Sequence, residues 1–276
     1  MRVLLVEMRR RLDAVATADW KPALQWILIA AVVCLSAAAF AQDNYEIQVY
    51  GSDTVLPGDT MVELHTNFTP KGDTKSVRPT NHALHETLEI THGWNDWFET
   101  GFYFFNYAHS GYGVDYVGSH IRPRVRAPEK WHWPVGVSLS TEVGYVRPAF
   151  SADTWTLELR PIVDKKIGPW YWAFNPALEK ALVGVNSNKG FEFSPNAKVS
   201  YDITKKVAFG LEYYGALGEI ANFDPLAEQE QQFFPAVDLD LGPRWEFNAG
   251  VGVGVTRSTD RLIIKFILGH RFGKHD

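Results

Sequence analysis

Carboxylates and cations recur along this chain at two-residue spacing. Glu63 and His65 lie two apart, Arg122, Arg124 and Arg126 follow one another at the same interval, and Glu158 is two before Arg160. In phase with the polar positions of their own segments stand Glu89, Glu99, Glu142, Glu192, Lys198, Glu212, Asp238, Asp240, Glu246, Lys265 and Arg271. Side chains on a strand alternate faces, so this spacing collects charge on one face.

Such a face can catalyse, conduct or simply pair its charges. Catalysis needs a nucleophile beside an oriented base. Ser119 and His120 are adjacent, so on a strand they point to opposite faces. His82 and His85, three apart, also diverge, no Gly-x-Ser-x-Gly elbow occurs, and no metal-ligand spacing stands out. The expectation is therefore no enzyme, with no catalytic residue, metal or cofactor. Arg forks bind carboxylates well, which leaves two readings. One is a salt-bridged filling. The other is a narrow polar path for a small solute, lined by Arg122, Arg124 and Arg160 against Glu142, Glu158 and Glu212.

The positions between these charges are apolar. Val62, Leu64 and Phe68 oppose Glu63 and His65; Trp155, Leu157, Leu159 and Val163 oppose Glu158 and Arg160; Val251, Val253, Val255, Leu262, Ile264, Phe266 and Leu268 form the oily face of the last hairpin. Nothing after residue 42 reads as a helix of useful length. Strands of about ten residues alternate with turns, the weak repeat of a membrane barrel. The predicted fold is all-β, a single transmembrane antiparallel up-and-down β-barrel of about twelve strands, or fourteen, with a short strand at 45–50 outside the count that plugs the lumen, joins the sheet or lies in the periplasm. Trp97, Trp133, Trp170 and Trp245 fall at one set of strand ends. Tyr107, Tyr112, Phe150, Trp155, Tyr214 and Phe233 fall near the other, giving two aromatic belts.

Two features resist the pattern. Pro123, Pro161, Pro176, Pro195 and Pro235 fall inside strands, which predicts bulges or early strand ends. Glu86 is in phase with Leu84 and Leu88, which predicts a bulge near Thr87 or a place near the interface.

The chain has 276 residues, a net charge of −5 and 46% hydrophobic residues with ten Trp. A mean hydropathy of −0.17 excludes a bundle of transmembrane helices, but not a barrel whose faces cancel in an average. Residues 1–41 read as a signal peptide: Arg9, Arg10 and Arg11 precede the apolar run 26–35, and Ala39-Phe40-Ala41 fits cleavage. Cleavage there removes Cys34, the only cysteine. An acidic exported chain argues against nucleic acid.

Residues 63–67 (Glu-Leu-His-Thr-Asn), 85–93, 99–103, 155–161, 175–176 and 210–215 carry a resemblance to a Gram-negative outer-membrane barrel family. It comprises the transporters of the "MetA-pathway of phenol degradation" type. The resemblance implies a barrel in the cell outer membrane and no particular substrate or site residue.

The expected organisation is a signal peptide at 1–41, a periplasmic N-terminal segment at 42–59, the barrel at 60–272 and a tail at 273–276. Expected partners are outer-membrane lipid, the barrel-insertion machinery and a small solute. Gly269 and Phe272 are read as part of a C-terminal insertion signal. The alternatives kept are a structural barrel with a closed lumen and a secreted soluble β-sandwich that binds a ligand.

Overall fold

The computed structural model describes residues 44–273. The signal peptide expected at 1–41 and residues 274–276 of the tail lie outside the described residues.

Twelve long strands run antiparallel in chain order. They are β1 (Thr60–Lys71), β2 (Ala83–Asn95), β3 (Phe98–His109), β4 (Gly113–Arg126), β5 (Gly136–Val146), β6 (Asp153–Ile167), β7 (Trp170–Gly184), β8 (Glu192–Thr204) and β9 (Val207–Ala216), then β12 (Glu230–Leu239), β13 (Trp245–Gly254) and β14 (Leu262–Phe272). A two-residue hairpin pair, β10 (Gly218–Glu219) and β11 (Asn222–Phe223), folds within the connection before β12. Pairing of β1 with β14, from Thr60↔Phe272 to Phe68↔Ile264, closes the ring. The ring leaves no edge among its long strands, which excludes the β-sandwich alternative.

The alternation predicted from sequence is the alternation of the wall. Leu64, Phe102, Leu139, Phe174, Leu211 and Phe266 are exposed on the outside, while Glu63, His65, Glu99, Arg122, Asn196 and Glu212 are buried inside. On β13, Gly250, Gly252 and Gly254 form the small inward face because other groups occupy the space. A Cβ at Gly252 would run into the Phe234 ring, and one at Gly250 would lie 3.2 Å from Cε of Lys265.

The prolines do not bulge the sheet. Pro176 pairs directly with Pro195, and Pro161 and Pro235 keep register with Leu139 and Leu211. Each proline faces outward and removes one ladder donor, so the ladder loses a bond at each of these positions while its register is kept. The bulges fall elsewhere, as at Val117, where β4 gains a residue between Phe105 and Asn106 of β3. Nor is there a bulge at Thr87. The register of β2 is unbroken from Leu84 to Gly93, so Glu86 stays on the outer face between Thr66 and Asn106, three residues from the start of β2.

The two rims differ. At one, the connections at 96–97, 168–169 and 205–206 are tight, although 127–135 is longer and carries a 3-10 turn, Glu129–Trp131. At the other, 72–82, 185–191 and 217–229 are long. The short-turn rim carries exposed Trp97, Trp133, Trp170 and Trp245, joined by Trp94 and Trp131. The opposite belt contains exposed Tyr112, Trp155 and Phe233. Tyr107 and Tyr214 do not belong to it: both are buried inside the barrel, and Phe150 packs against the same interior cluster as Tyr107.

Candidate lumen site

The interior is organised by a segment outside the sheet. Residues 45–50 alternate as a strand would but have no ladder partner, which corrects the short strand expected there. Instead, residues 44–59 thread the lumen from the long-loop rim to the start of β1. Asn44 donates from Nδ2 to Asp260 Oδ2 (2.6 Å) and accepts at its carbonyl from Asn67 Nδ2 (2.7 Å). Thr87 Oγ1 donates to the Tyr45 carbonyl at 2.7 Å, and Lys265 Nζ to that of Ile47 at 3.1 Å. Asn175 holds both backbone groups of Tyr50. Lower down, Arg124 donates to the Gly51 and Asp53 carbonyls, and the Val55 amide donates to Glu99 Oε2 at 2.6 Å. The exit is fixed at Gly93, which accepts from the Gly58 amide (2.7 Å) and donates to the Asp59 carbonyl (3.1 Å). A side chain at Gly93 would strike the carbonyls of Val55 and Leu56.

These partners lie on β1, β2, β3, β4, β7 and β14, so the segment is surrounded by wall. Every backbone group that enters a dry lumen needs such a partner. Apolar contacts complete the fit. Tyr45 packs with Ala83, Tyr103, Phe105, Tyr107, Val117 and Val146; Ile47 and Val49 pack with Ala173, Tyr214, Phe234 and Ile263. Burying a side chain such as that of Ile47 contributes about 1.5–3 kcal/mol.

Around the thread the charges separate into three groups. Near β2–β4, Arg122 Nη2 donates to Glu89 Oε1 (2.7 Å) and lies 3.5 Å from Glu99 Oε1, which Arg124 Nε approaches to 2.7 Å. Near β5–β6, His120 pairs with Glu142, and Arg160 Nε lies 2.7 Å from Glu158 Oε1. Near β8–β14, Glu212 takes Lys265 and, at 3.3 Å, Lys198, whose Nζ also reaches Asp238 Oδ1 at 2.7 Å. The Tyr50 ring joins the first two groups: the guanidinium carbons of Arg122, Arg160 and Arg124 lie 4.7, 5.1 and 6.0 Å from its centroid. Cations over a tyrosine face are attracted by its quadrupole, more strongly when desolvated.

A cavity of about 420 Å³ remains below Tyr50 and opens toward the short-turn rim. Carboxylates Glu63, Glu89, Glu99, Asp238 and Glu246 line it together with Arg122, Arg124, Lys198 and Arg271. Above, the path is filled by the thread. At the long-loop rim Asp260 Oδ1 accepts from the Asp73 amide (2.9 Å) and Thr80 Oγ1 (2.6 Å), joining two loops to the start of the thread. Burial raises the Asp73 carboxyl, but donation from the Ser76 side chain and the amides of Ser76, Lys75 and Thr74 outweighs this and holds it below the usual range.

Of the residues singled out from sequence, Asp240 is misplaced. It lies past the end of β12, exposed in the turn, where its carboxylate accepts from the Gly242 amide at 2.8 Å. Gly269 faces inward beside Met61 and Glu63, and Phe272 is exposed outside. The sequence reading left the place of 45–50 open among lumen, sheet and periplasm, and it assigned no lumen role to Asn175. A usable signal was in β3, where Phe102–Phe105 is apolar on both faces; Tyr103, Phe105 and Tyr107 point into a lumen and require something apolar there.

No family model matches the chain, and no curated protein matches it. Among solved structures it is similar to the COG4313 outer membrane channel from Pseudomonas putida F1, at TM-score 0.56 and 10% identity, over 82% of this chain and all of that one. It is also similar to the KdgM porin, at TM-score 0.49 and 10% identity over 78% of this chain and 99% of that chain. At 10% identity the likeness to the first is one of fold alone, a closed antiparallel barrel.

Proposed function

We propose that this protein is a channel of the Gram-negative outer membrane for a small polar solute, and that its own N-terminal segment keeps it closed. The observation carrying this reading is the mode of attachment of residues 44–59. They are held by hydrogen bonds to lumen side chains and by apolar packing rather than by strand pairing, and a charged cavity lies beneath them. The apolar outer face and the tryptophan belt support a lipid setting, with the short-turn rim in the periplasm. In the same reading 1–41 is the export signal, Gly269 and Phe272 form part of the signal for the insertion machinery, and the "MetA-pathway of phenol degradation" family is the relationship to test.

The closed structural barrel is favoured by one observation, the extent of internal ion pairing. Liposome swelling separates the two. A channel admits small sugars or amino acids once residues 44–57 are deleted, whereas a structural barrel stays impermeable or fails to fold without them.

A further inference from the structure

Beside the cavity stands a group of side chains that ion pairing accounts for only in part, Arg122 taking one oxygen of Glu89. Glu63 and His65 are two apart on β1, and Glu89 on β2 stands directly opposite Glu63. One ligand atom from each of the three lies within 4.8 Å of the others. All three are buried, with exposures of 6%, 0% and 1%. Both ring nitrogens of His65, Oε1 of Glu63 and Oε2 of Glu89 are buried with no hydrogen-bond partner. An imidazole always carries at least one N–H, and this fully buried ring makes only a long approach, Nε2 to Glu89 Oε2 at 3.5 Å, which leaves its hydrogen-bonding capacity largely unmet.

We infer that Glu63, His65 and Glu89 form a binding site for a divalent transition-metal cation of the zinc type. Zinc takes imidazole nitrogen at about 2.0–2.1 Å and carboxylate oxygen at about 2.0–2.2 Å; in a tetrahedral site this separates ligand atoms by about 3.4 Å. His65 Nε2 and Glu89 Oε2 are 3.5 Å apart. Arg122 binds the other oxygen of Glu89 at 2.7 Å and Thr91 Oγ1 donates to it at 2.7 Å, which fixes the carboxylate with Oε2 toward His65. Such outer partners orient metal ligands. Two carboxylates and one imidazole leave a fourth position for water, and Glu63 and Glu89 line the cavity through which an ion would enter. Sequence spacing did not reveal the site because its third ligand comes from the neighbouring strand. The inference does not depend on whether the lumen conducts.

The test uses the full chain refolded in detergent and titrated calorimetrically with Zn²⁺. The expected result is one saturable site per barrel, weakened by about tenfold or more in H65A and in E63Q, and unchanged in the control H270A, whose ring packs 4.4 Å from that of Trp245 near the end of β14. Absence of a saturable site, or binding equal in wild type and both ligand variants, overturns the proposal. Heat-modifiable migration checks that each variant is folded. Should a ligand variant not fold, the Co²⁺ spectrum of the wild-type protein decides: intense tetrahedral visible bands support the site, and a weak octahedral spectrum overturns it.

Discussion

The Asn175 side chain treats Tyr50 as a neighbouring strand would. Its Oδ1 accepts from the Tyr50 amide at 2.7 Å and its Nδ2 donates to the Tyr50 carbonyl at 3.0 Å. One primary amide thus replaces both ladder bonds for the residue at the centre of the lumen. Removing it in N175A leaves two buried backbone groups unpaired, a loss of about 1–3 kcal/mol each. N175A should therefore lower the urea midpoint of the barrel in detergent and expose the Tyr50 amide to exchange. N175D, which keeps the acceptor but sets a buried carboxylate oxygen against the Tyr50 carbonyl, should lose at least as much.

Arg122 supports a second prediction. It neutralises Glu89 in a buried setting, so R122Q strands a carboxylate and should destabilise the barrel by about 3–5 kcal/mol. Replacing both partners, as in R122M with E89L, should recover most of that loss, because Glu99 keeps Arg124 at 2.7 Å. A double-mutant cycle from urea unfolding measures the coupling; additive losses would contradict a specific pair.

The sequence made the wall legible and concealed its filling. Strict alternation in β1, β6 and β13 identified which face of each strand is apolar, because lipid and lumen impose opposite demands on successive residues. The thread was hidden for a physical reason. Tyr45, Ile47 and Val49 alternate with Glu46, Gln48 and Tyr50 as in a strand, and only the missing ladder partner reveals that the chain is extended without belonging to the sheet. The same limit applies to Glu63, His65 and Glu89: each reads as an inward polar residue, and register alone brings them together. Asp240 failed differently, since its phase was right but its strand had already ended.

The outward face yields a depth-dependent prediction. Leu64 lies near the middle of β1, while Ile167 ends β6 at the short-turn rim, and both are exposed. In a lipid bilayer L64R should cost about 2–4 kcal/mol and I167R about 0–1 kcal/mol. Equilibrium unfolding from lipid vesicles gives both values, and equal costs at the two depths would argue against a membrane-spanning wall.

The central claim is that residues 44–59 close an otherwise passable lumen. Single-channel recording in a planar bilayer tests it directly, comparing the intact chain with one lacking residues 44–57. The intact barrel should stay silent or flicker, and the shortened barrel, verified as folded by heat-modifiable migration, should open to a steady conductance. A folded shortened barrel that remains silent would contradict the account.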